Sequence, residues 1–435
     1  MPALSEAPRS KALYDRATRV LPGGNTRTTV FVAPHPLYAR AGHGCRVTDV
    51  DGVTRLDFVN NYTSLIHGHG HPTVTAAIAD QLTRGTCFAM PTEAEVALAE
   101  LICDRLPTAE RIRFTNSGTE AVMMAVKAAR AYTGRPKIAK VEGAYHGSYD
   151  FVEASMAPSP ENWGEPDPTP VPYAKGTPQG VLDDVVVIPL NDPAAAERIL
   201  APHADELAAI LIDPLPFRAG LIPAQAAFLE FVRAFARNHG TLLIFDEVIS
   251  FRLGYHGAQG VFGVEPDLTT LGKIIGGGLP VGAVAGRADV MAVFDPSGGK
   301  AALPHGGTFN ANPLTMAAGR AAMEALPPEA IDRLNALGAQ ARAALGEAFA
   351  AAGVPGQVSG MGSLFRVHFH ARPLTGYRAA YAHPEERARL QAFYWGLAER
   401  GVLISSDGLG AISTPMGTSE VQALAEAALG ALRSL

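Results

Sequence analysis

The chain has 435 residues, of which 47% are hydrophobic and 18% charged, and its formal net charge is −6. The length predicts a large domain with a smaller one, and the composition excludes a disordered protein. The negative net charge argues against nucleic-acid binding, and no apolar run approaches the roughly 20 residues that a membrane-spanning helix needs.

Signals for targeting, disulfides and metal binding are weak in this chain. The stretch Met1–Asp15 is polar and has no signal-peptide core, so we expect a cytoplasmic location. Cys45, Cys87 and Cys103 lack C-x-x-C spacing and are expected to be reduced thiols. Histidines alternate with glycines in His67–His71, but no acidic or cysteine ligand accompanies them. We therefore expect no metal site.

Short β-branched runs alternate with amphipathic stretches through the middle of the chain. Strands are predicted at Arg111–Thr115, Lys137–Val141, Val185–Pro189, Ala209–Asp213, Thr241–Asp246, Leu268–Leu271 and Val281–Ala285. Helices are predicted between them at Glu120–Tyr132, Ala194–His203 and Ala226–Asn238. This alternation predicts an α/β fold with a mostly parallel seven-stranded sheet and helices on both faces. Such a sheet binds its ligand beyond the carboxyl ends of its strands.

The pattern changes near Asn312. An alanine-rich helical stretch runs to about Ala352, followed by strand-like runs at Leu364–Phe369 and Val402–Ser405 and a closing helix at Ser419–Leu432. We interpret this part as a smaller α+β domain, completed by the N-terminal segment. The predicted divisions are residues 1–65 for the N-terminal segment, 66–311 for the large domain and 312–435 for the small domain.

The strongest chemical signal pairs a lysine before a glycine run with a carboxylate at a strand end. Lys273 precedes Gly276–Gly278, and Asp246 ends an apolar strand. Enzymes that use pyridoxal 5′-phosphate (PLP) need a lysine for the Schiff base with the cofactor and a carboxylate that keeps the pyridine nitrogen protonated. Each feature alone is equally typical of a loop or a strand end. A P-loop is excluded, because Ile274 follows the lysine where Ser or Thr is required.

Three further segments supply what a PLP site requires. The string Ser117–Thr119 leads from a strand into a helix, whose first N–H groups form either an anion site for the phosphate or a simple N-cap. Tyr145 and His146 follow the next strand, where an aromatic ring would stack on the pyridine. Thr308 lies in the glycine-rich loop Gly306–Pro313, which is suited to reach a phosphate, including one across a subunit interface.

Taken in order, these motifs resemble the class III aminotransferases of PLP fold type I. The similar branch holds glutamate-1-semialdehyde aminomutase, β-phenylalanine aminotransferase and D-phenylglycine aminotransferase. The resemblance runs from about Leu21 to Gly319 and implies a homodimeric enzyme that moves an amino group from an amino acid to a keto acid. It implies that Lys273 is the Schiff-base lysine and Asp246 the pyridinium partner. The other implied cofactor contacts are Ser117, Gly118, Thr119, Tyr145, His146, Val248 and, from the other subunit, Thr308.

The same resemblance implies where the substrate binds. Arg27 lies in a segment similar to the one that carries a carboxylate-binding arginine in β-phenylalanine aminotransferase; the alternative is a surface arginine. A guanidinium grips a carboxylate through two parallel hydrogen bonds. Arg218 and Tyr62 are further candidates for substrate contact. The expected donor is a β-amino acid or an aromatic or D-amino acid.

Two departures from the family pattern bear on the reaction. Asp213 stands where the family commonly has glutamate, and Ser405–Gly410 lacks the Phe-Glu-Ala-Gly string of the aminomutase. The second departure favours transfer between two molecules. The alternative is an aminomutase or an amino-acid racemase, because one PLP scaffold supports several chemistries. A non-catalytic PLP-binding regulator would need a DNA-binding helix-turn-helix, for which the N-terminal segment is too short.

Overall fold

A computed structural model describes residues 7–435. Its strands, β1 to β14 in chain order, are Ala39–His43, Arg46–Asp49, Thr54–Asp57, Arg111–Thr115, Lys137–Val141, Val185–Ile188, Leu207–Ile212, Leu242–Asp246, Leu268–Gly272, Gly282–Gly286, Gln357–Ser359, Leu364–His368, Val402–Leu403 and Leu409–Ala411. Its longer helices, α1 to α12, are Pro8–Ala17, Pro72–Arg84, Glu93–Arg105, Gly118–Thr133, Gln179–Asp183, Pro193–Leu200, Ala226–His239, Gly257–Phe262, Pro313–Glu324, Pro328–Ala352, Pro384–Glu399 and Thr418–Leu432. Turns of three or four helical residues lie at Pro22–Gly24, Thr28–Val30, Asn60–Thr63, Asp150–Glu153, Ala201–His203, Ser250–Leu253, Lys273–Gly276, Ala288–Met291, Ala292–Phe294 and Tyr377–Ala380.

A seven-stranded sheet has the order β4-β10-β9-β8-β7-β5-β6. Strand β10 is antiparallel to both of its neighbours, and the pairs β5–β6, β5–β7, β7–β8 and β8–β9 are parallel. All seven predicted strands are present in it, with ends that differ by at most two residues. The predicted α/β fold with a mostly parallel seven-stranded sheet is confirmed.

Helices cover both faces of this sheet, and its central strands β7, β8 and β9 are buried at every residue. Strand β7, Leu-Ala-Ala-Ile-Leu-Ile, is buried at every residue, as is expected for a parallel strand with helices on each side. Ala209 and Leu211 pack into the core on the α4 side, whereas Ile210 and Ile212 pack into the core that holds Phe228 of α7. The sheet is therefore the middle layer between two layers of helices.

The described chain divides into two compact units. The large unit comprises Thr73–Asp332 and Pro373–Tyr381 and contains the seven-stranded sheet. The small unit comprises the described residues up to Pro72 together with Arg333–Arg372 and Ala382–Leu435.

Two smaller sheets lie in the small unit, β1-β2-β3-β13 and the antiparallel β11-β12-β14. Its N-terminal and C-terminal parts share a sheet, because β13 pairs in parallel with β3. Helix α9 follows residue 312 but packs against α3 within the large unit. The divisions at 65/66 and 311/312 stay a prediction.

The His67–His71 string has hydrogen-bond partners in the small unit. His69 Nε2 lies 2.8 Å from Asp57 Oδ2, and His67 Nδ1 lies 3.1 Å from Thr414 Oγ1. Within residues 7–435, no cluster of three or more His, Cys, Asp or Glu side chains suits a metal ion. No helix in this range combines the length and apolar character of a bilayer-spanning segment. Residues 1–6 of the predicted polar stretch Met1–Asp15 lie outside the described residues.

Candidate active site

Two carboxylates and a lysine lie at the carboxyl edge of the seven-stranded sheet. Asp213 directly follows β7, Asp246 ends β8, and Lys273 directly follows β9. The three strands are parallel neighbours, with Ile212 paired to Phe245 and Asp246 paired to Thr270. Their ends therefore meet at one edge, which is where an open α/β sheet binds its ligand.

Hydrogen bonds fix the Asp246 carboxylate on both oxygens. Its Oδ2 lies 2.7 Å from His146 Nδ1, and its Oδ1 accepts bonds of 3.1 Å from Thr270 Oγ1 and 3.1 Å from the Val248 N–H. The side chains of His146 and Asp246 are 0% and 6% exposed. Burial lowers the pKa of His146, while the Asp246 carboxylate acts in the opposite direction. The Nε2 atom of His146 is buried and has no hydrogen-bond partner among residues 7–435.

Lys273 combines an unusual backbone conformation with a perturbed amine. Its φ of +50° lies in the left-handed region, which costs a non-glycine residue of order 1–3 kcal/mol and clusters at functional sites. Burial lowers the pKa of its amine, and the carboxylates of Asp246 and Asp213 partly oppose this shift. A lowered lysine pKa increases the neutral fraction, which is the form that acts as a nucleophile or a base.

Asp213 is the second buried carboxylate at this edge. Burial raises its pKa well above the usual range, and the neighbouring Asp246 carboxylate raises it further. Its Oδ1 accepts a 2.9 Å hydrogen bond from the Leu215 N–H. The charge of Lys273 acts on the pKa of Asp213 in the opposite direction.

The N-terminus of α4 lies at the same edge and presents its first-turn amides there. Ser117 caps the helix by accepting a 3.1 Å hydrogen bond from the Glu120 N–H, so the N-cap interpretation is confirmed. The Gly118 and Thr119 amides are first-turn donors that have no acceptor within the helix. A Cβ atom on Gly118 would come within 3.0 Å of a Val248 methyl group, so the loop contacts Val248 closely.

The segment that carries Tyr145 and His146 packs on the first turn of α4. Gly147 has a φ of +90°, and a Cβ atom there would lie 2.5 Å from Thr119 Oγ1. The same Thr119 oxygen accepts a 3.2 Å hydrogen bond from the Ser148 N–H. Burial raises the pKa of Tyr145, and the charge of Arg218 acts in the opposite direction.

Thr308 is exposed in a loop that is tied to the end of β4. Asn310, two residues later, accepts a 2.7 Å hydrogen bond from Asn116 Nδ2. Its Nδ2 also lies 3.1 Å from His305 Nε2, and His305 Nδ1 accepts a 2.8 Å bond from Arg113. The loop is thus held in place while the Thr308 side chain stays accessible.

Two of the predicted substrate residues lie in the small unit and one in the large unit. Arg27 Nη1 donates a 2.8 Å hydrogen bond to Asn61 Oδ1. The Tyr62 hydroxyl donates a 2.5 Å bond to the Thr29 carbonyl oxygen. The third candidate, Arg218, belongs to the large unit, and its positive charge opposes the rise in the pKa of Tyr145.

The sequence interpretation missed three polar residues of these clusters. Thr270 bonds to Asp246, Asn61 bonds to Arg27, and Asn310 anchors the loop of Thr308. A signal existed for Thr270, because a threonine in a strand buried at every residue must find a polar partner. For the other two residues, the partner lies far along the chain and no local pattern indicates the pairing.

The model of the class-III aminotransferase family matches residues 30–425. The chain belongs to the class-III aminotransferases. It is 39% identical over 397 residues to a glutamate-1-semialdehyde 2,1-aminomutase of Methanothermobacter thermautotrophicus, a match that covers 91% of each chain. The predicted family resemblance is confirmed.

Two solved structures are similar over nearly the whole chain. An omega-transaminase from Sphaerobacter thermophilus has a TM-score of 0.94 and 56% identity, covering 98% of this chain and 97% of that one. A β-phenylalanine aminotransferase from Variovorax paradoxus has a TM-score of 0.86 and 37% identity, covering 97% and 92%. This class-III aminotransferase is therefore a PLP-dependent transaminase with the predicted fold type I.

The residues at the sheet edge fit this cofactor. PLP carries a phosphate, a basic ring nitrogen and an aldehyde, which need an anion site, a carboxylate and an amine. The first turn of α4, Asp246 and Lys273 provide these three groups in one unit. Gly118 has no side chain, and Val248 packs against its backbone where a Cβ atom would otherwise lie.

Proposed function

We propose that this aminotransferase takes the amino group from a β-amino acid, or from an aromatic or D-amino acid, and that Lys273 is its catalytic amine. The observation that carries the assignment is the Lys273 amine itself. It has a lowered pKa and a left-handed backbone, and it lies at the strand edge beside two carboxylates. The name of one similar protein, a β-phenylalanine aminotransferase, supports an aromatic β-amino acid as the donor.

Bound PLP supplies an aldehyde that takes up the amino group and a ring that accepts the electron pair released at the substrate carbon. Asp246 keeps a proton on the ring nitrogen, and its hydrogen bond to His146 holds the carboxylate in place. Lys273 would remove the proton from the amine-bearing carbon of the substrate and deliver it to the carbon of the cofactor aldehyde group, so that the proton ends on a different carbon. A neutral amine is required for the first step, and the lowered pKa of Lys273 favours it.

The remaining cofactor contacts follow the family pattern. Ser117, Gly118 and Thr119 hold the phosphate through the N-terminus of α4, supported by first-turn amides without intrahelical acceptors. Tyr145 stacks on one face of the ring and Val248 packs on the other. These roles rest on the family resemblance and on the contacts that join Val248 to Gly118 and Gly147 to Thr119.

For the substrate, we propose that Arg27 binds the carboxylate, with Arg218 and Tyr62 as further contacts. Arg27 is exposed, and among residues 7–435 its guanidinium donates one hydrogen bond, to Asn61. It therefore keeps donors for the two-point pairing that carboxylates favour. A keto acid serves as the amino acceptor.

We also propose a homodimer in which Thr308 contacts the cofactor of the partner subunit. Exposed apolar side chains support an interface on this part of the large unit: Phe309 is 59% exposed, Met90 72% and Phe88 44%. These segments touch, because Asn312 Nδ2 donates a 3.0 Å hydrogen bond to the Thr86 carbonyl oxygen. Sedimentation as a monomer in the presence of PLP would contradict the proposal. The cytoplasmic location stays a prediction from the sequence.

The second candidate is an aminomutase, because curated relatives at 39% identity carry that name. The string Ser405–Gly410 lacks the glutamate of the aminomutase motif and favours intermolecular transfer. The two functions differ in what leaves the enzyme. The PLP form would be mixed with single donors, including both hands of β-phenylalanine, D- and L-α-amino acids and glutamate-1-semialdehyde. Transamination predicts a free keto acid and the pyridoxamine form. Without a keto product, a shift of the amino group within one substrate would establish an aminomutase, and inversion at the amine-bearing carbon would establish a racemase.

A further inference from the structure

Four consecutive residues of the small unit have a left-handed backbone, and none of them is glycine. The φ angles are +49° at Asn60, +47° at Asn61, +55° at Tyr62 and +74° at Thr63. L-residues rarely enter this region, and they do so as single residues rather than as a turn. A run of four persists only where its surroundings impose it, which makes it a candidate functional device.

Hydrogen bonds to Asp57, the last residue of the preceding strand β3, hold the start of this left-handed turn. Asp57 Oδ1 accepts hydrogen bonds of 2.9 Å from the Val59 N–H and 3.0 Å from the Asn60 N–H. The fully buried Asn60 side chain donates a 2.8 Å bond to the Ala411 carbonyl oxygen. Asp57 Oδ2 in turn pairs with His69. The start of the turn is thus fixed by three side chains, those of Asp57, Asn60 and His69, whose hydrogen bonds do not involve Arg27.

The turn presents Asn61 and Tyr62 to the N-terminal segment. Asn61 Oδ1 accepts the 2.8 Å hydrogen bond from Arg27 Nη1, and Asn61 Nδ2 donates a 3.1 Å bond to Ser64 Oγ. The two bonds fix which way the amide points, because a guanidinium has no acceptor. The Tyr62 hydroxyl holds the same segment at the Thr29 carbonyl oxygen.

The other N–H groups of the Arg27 guanidinium are available to bind a substrate carboxylate. Among residues 7–435, Asn61 is the only acceptor of its side-chain N–H groups. A guanidinium has five donors in a plane, so one anchored N–H orients the others. Asn61 therefore sets the direction in which Arg27 offers its paired donors.

We propose that Asn61 is a positioning residue for substrate recognition: held by the left-handed turn, it aims the Arg27 guanidinium at the carboxylate of the amino donor. The inference rests on the proposed role of Arg27. It predicts selectivity for donors that carry a carboxylate over amines that lack one. It also gives this turn of positive φ a function. Lys273, the proposed catalytic amine, is another non-glycine residue with a positive φ.

The test is Asn61→Gly in the PLP-loaded enzyme, because glycine accepts the positive φ while the amide is lost. Kinetics would compare β-phenylalanine with 1-phenylethylamine, which has the aromatic ring and amine but no carboxylate. We expect the ratio of kcat/KM for the acid to that for the amine to fall about 5- to 10-fold, the size of a modest charge-assisted hydrogen-bond effect. The loss should lie in KM for the acid. Asn61→Asp should lower the ratio further, since its carboxylate competes for Arg27.

A matched control is Asn191→Gly, at an asparagine of the large unit whose φ is also positive, +61°. It should leave the ratio unchanged. Arg27→Ala should lower the ratio about 10- to 100-fold, and adding Asn61→Gly to it should have little further effect, because the two residues act as one.

The possible failures are distinguishable. An unchanged ratio in Arg27→Ala would refute the role of Arg27 and the inference together. A reduced ratio in Arg27→Ala would refute the inference alone if Asn61→Gly left the ratio unchanged. The inference would also fail, and the role of Arg27 would stand, if the effects of the two substitutions simply added.

Discussion

The hydrogen bond between His146 and Asp246 offers a direct test of the cofactor site. Replacing His146 with Leu removes the donor to Asp246 Oδ2 at 2.7 Å and fills the fully buried position with an apolar side chain. A hydrogen bond to a charged group contributes about 1.5–3 kcal/mol, and in the proposed cofactor site a carboxylate with one donor fewer would be held less firmly against the ring nitrogen. We therefore expect the affinity for PLP to fall about 10- to 100-fold.

The assay is a titration of the apoenzyme with PLP, followed by absorbance. His146→Asn is the matched variant, because its amide places a donor near the position of Nδ1 and should recover most of the affinity. Thermal denaturation of both apoenzymes separates a loss of cofactor binding from a loss of folding. Equal affinities for the Leu and Asn variants would refute the reasoning, whether both were weak or both unchanged.

Three more predictions concern the surroundings of the site. Gly147→Ala should destabilise the protein by about 2–4 kcal/mol, because it combines a φ of +90° with a Cβ atom 2.5 Å from Thr119 Oγ1; thermal denaturation checks this. Lys140 is fully buried and has a pKa lowered from 10.5 to about 7, so the unfolded chain binds more protons between these pH values and stability should rise across that interval. Lys140→Met should flatten this rise in unfolding experiments at several pH values. Arg378 donates hydrogen bonds of 3.0 and 2.9 Å to the two oxygens of buried Glu142. Arg378→Met should therefore lower the free energy of unfolding by about 3–5 kcal/mol, because it leaves a buried charge unpaired. The double variant with Glu142→Gln should lose less, and a double-mutant cycle of unfolding measurements checks both values.

The sequence predicted the strands and their functional edge because those signals are local. Runs such as Leu207–Ile212 are apolar at every position, which is typical of parallel strands between helices. Polar residues follow at the strand ends, and the parallel arrangement brings Asp246 and Lys273 to one edge without any knowledge of side-chain contacts. The Ser117 cap was also visible, because hydroxyl caps are a local property of helix starts.

Contacts between distant parts of the chain were not predictable in this way. His146 and Asp246 are 100 residues apart, and no local pattern indicates that their side chains meet. The left-handed turn Asn60–Thr63 contains no glycine, so the residue that normally signals this conformation is missing. Its shape depends on Asp57 and on Ala411, which lies 351 residues after Asn60.

The placement of the short segment Pro373–Tyr381 was likewise not predictable from local sequence. It belongs to the large unit, although the residues on both sides of it belong to the small one. It is held there by the Arg378–Glu142 ion pair and by Tyr377, which packs so closely on Gly143 that a Cβ atom there would lie 1.9 Å from the ring. A division of the sequence by composition has no means of finding so short a segment, because its placement depends on such pairings.

The measurement that tests the central claim most directly is a single turnover of Lys273→Ala loaded with PLP, with and without a small external amine. The donor would be the one that gives the fastest keto-acid release in the wild-type enzyme. If Lys273 is the amine that moves the substrate proton, the variant should bind PLP, release no keto acid on the wild-type time scale and regain turnover with added ethylamine. Keto-acid release at the wild-type rate without added amine would contradict the account.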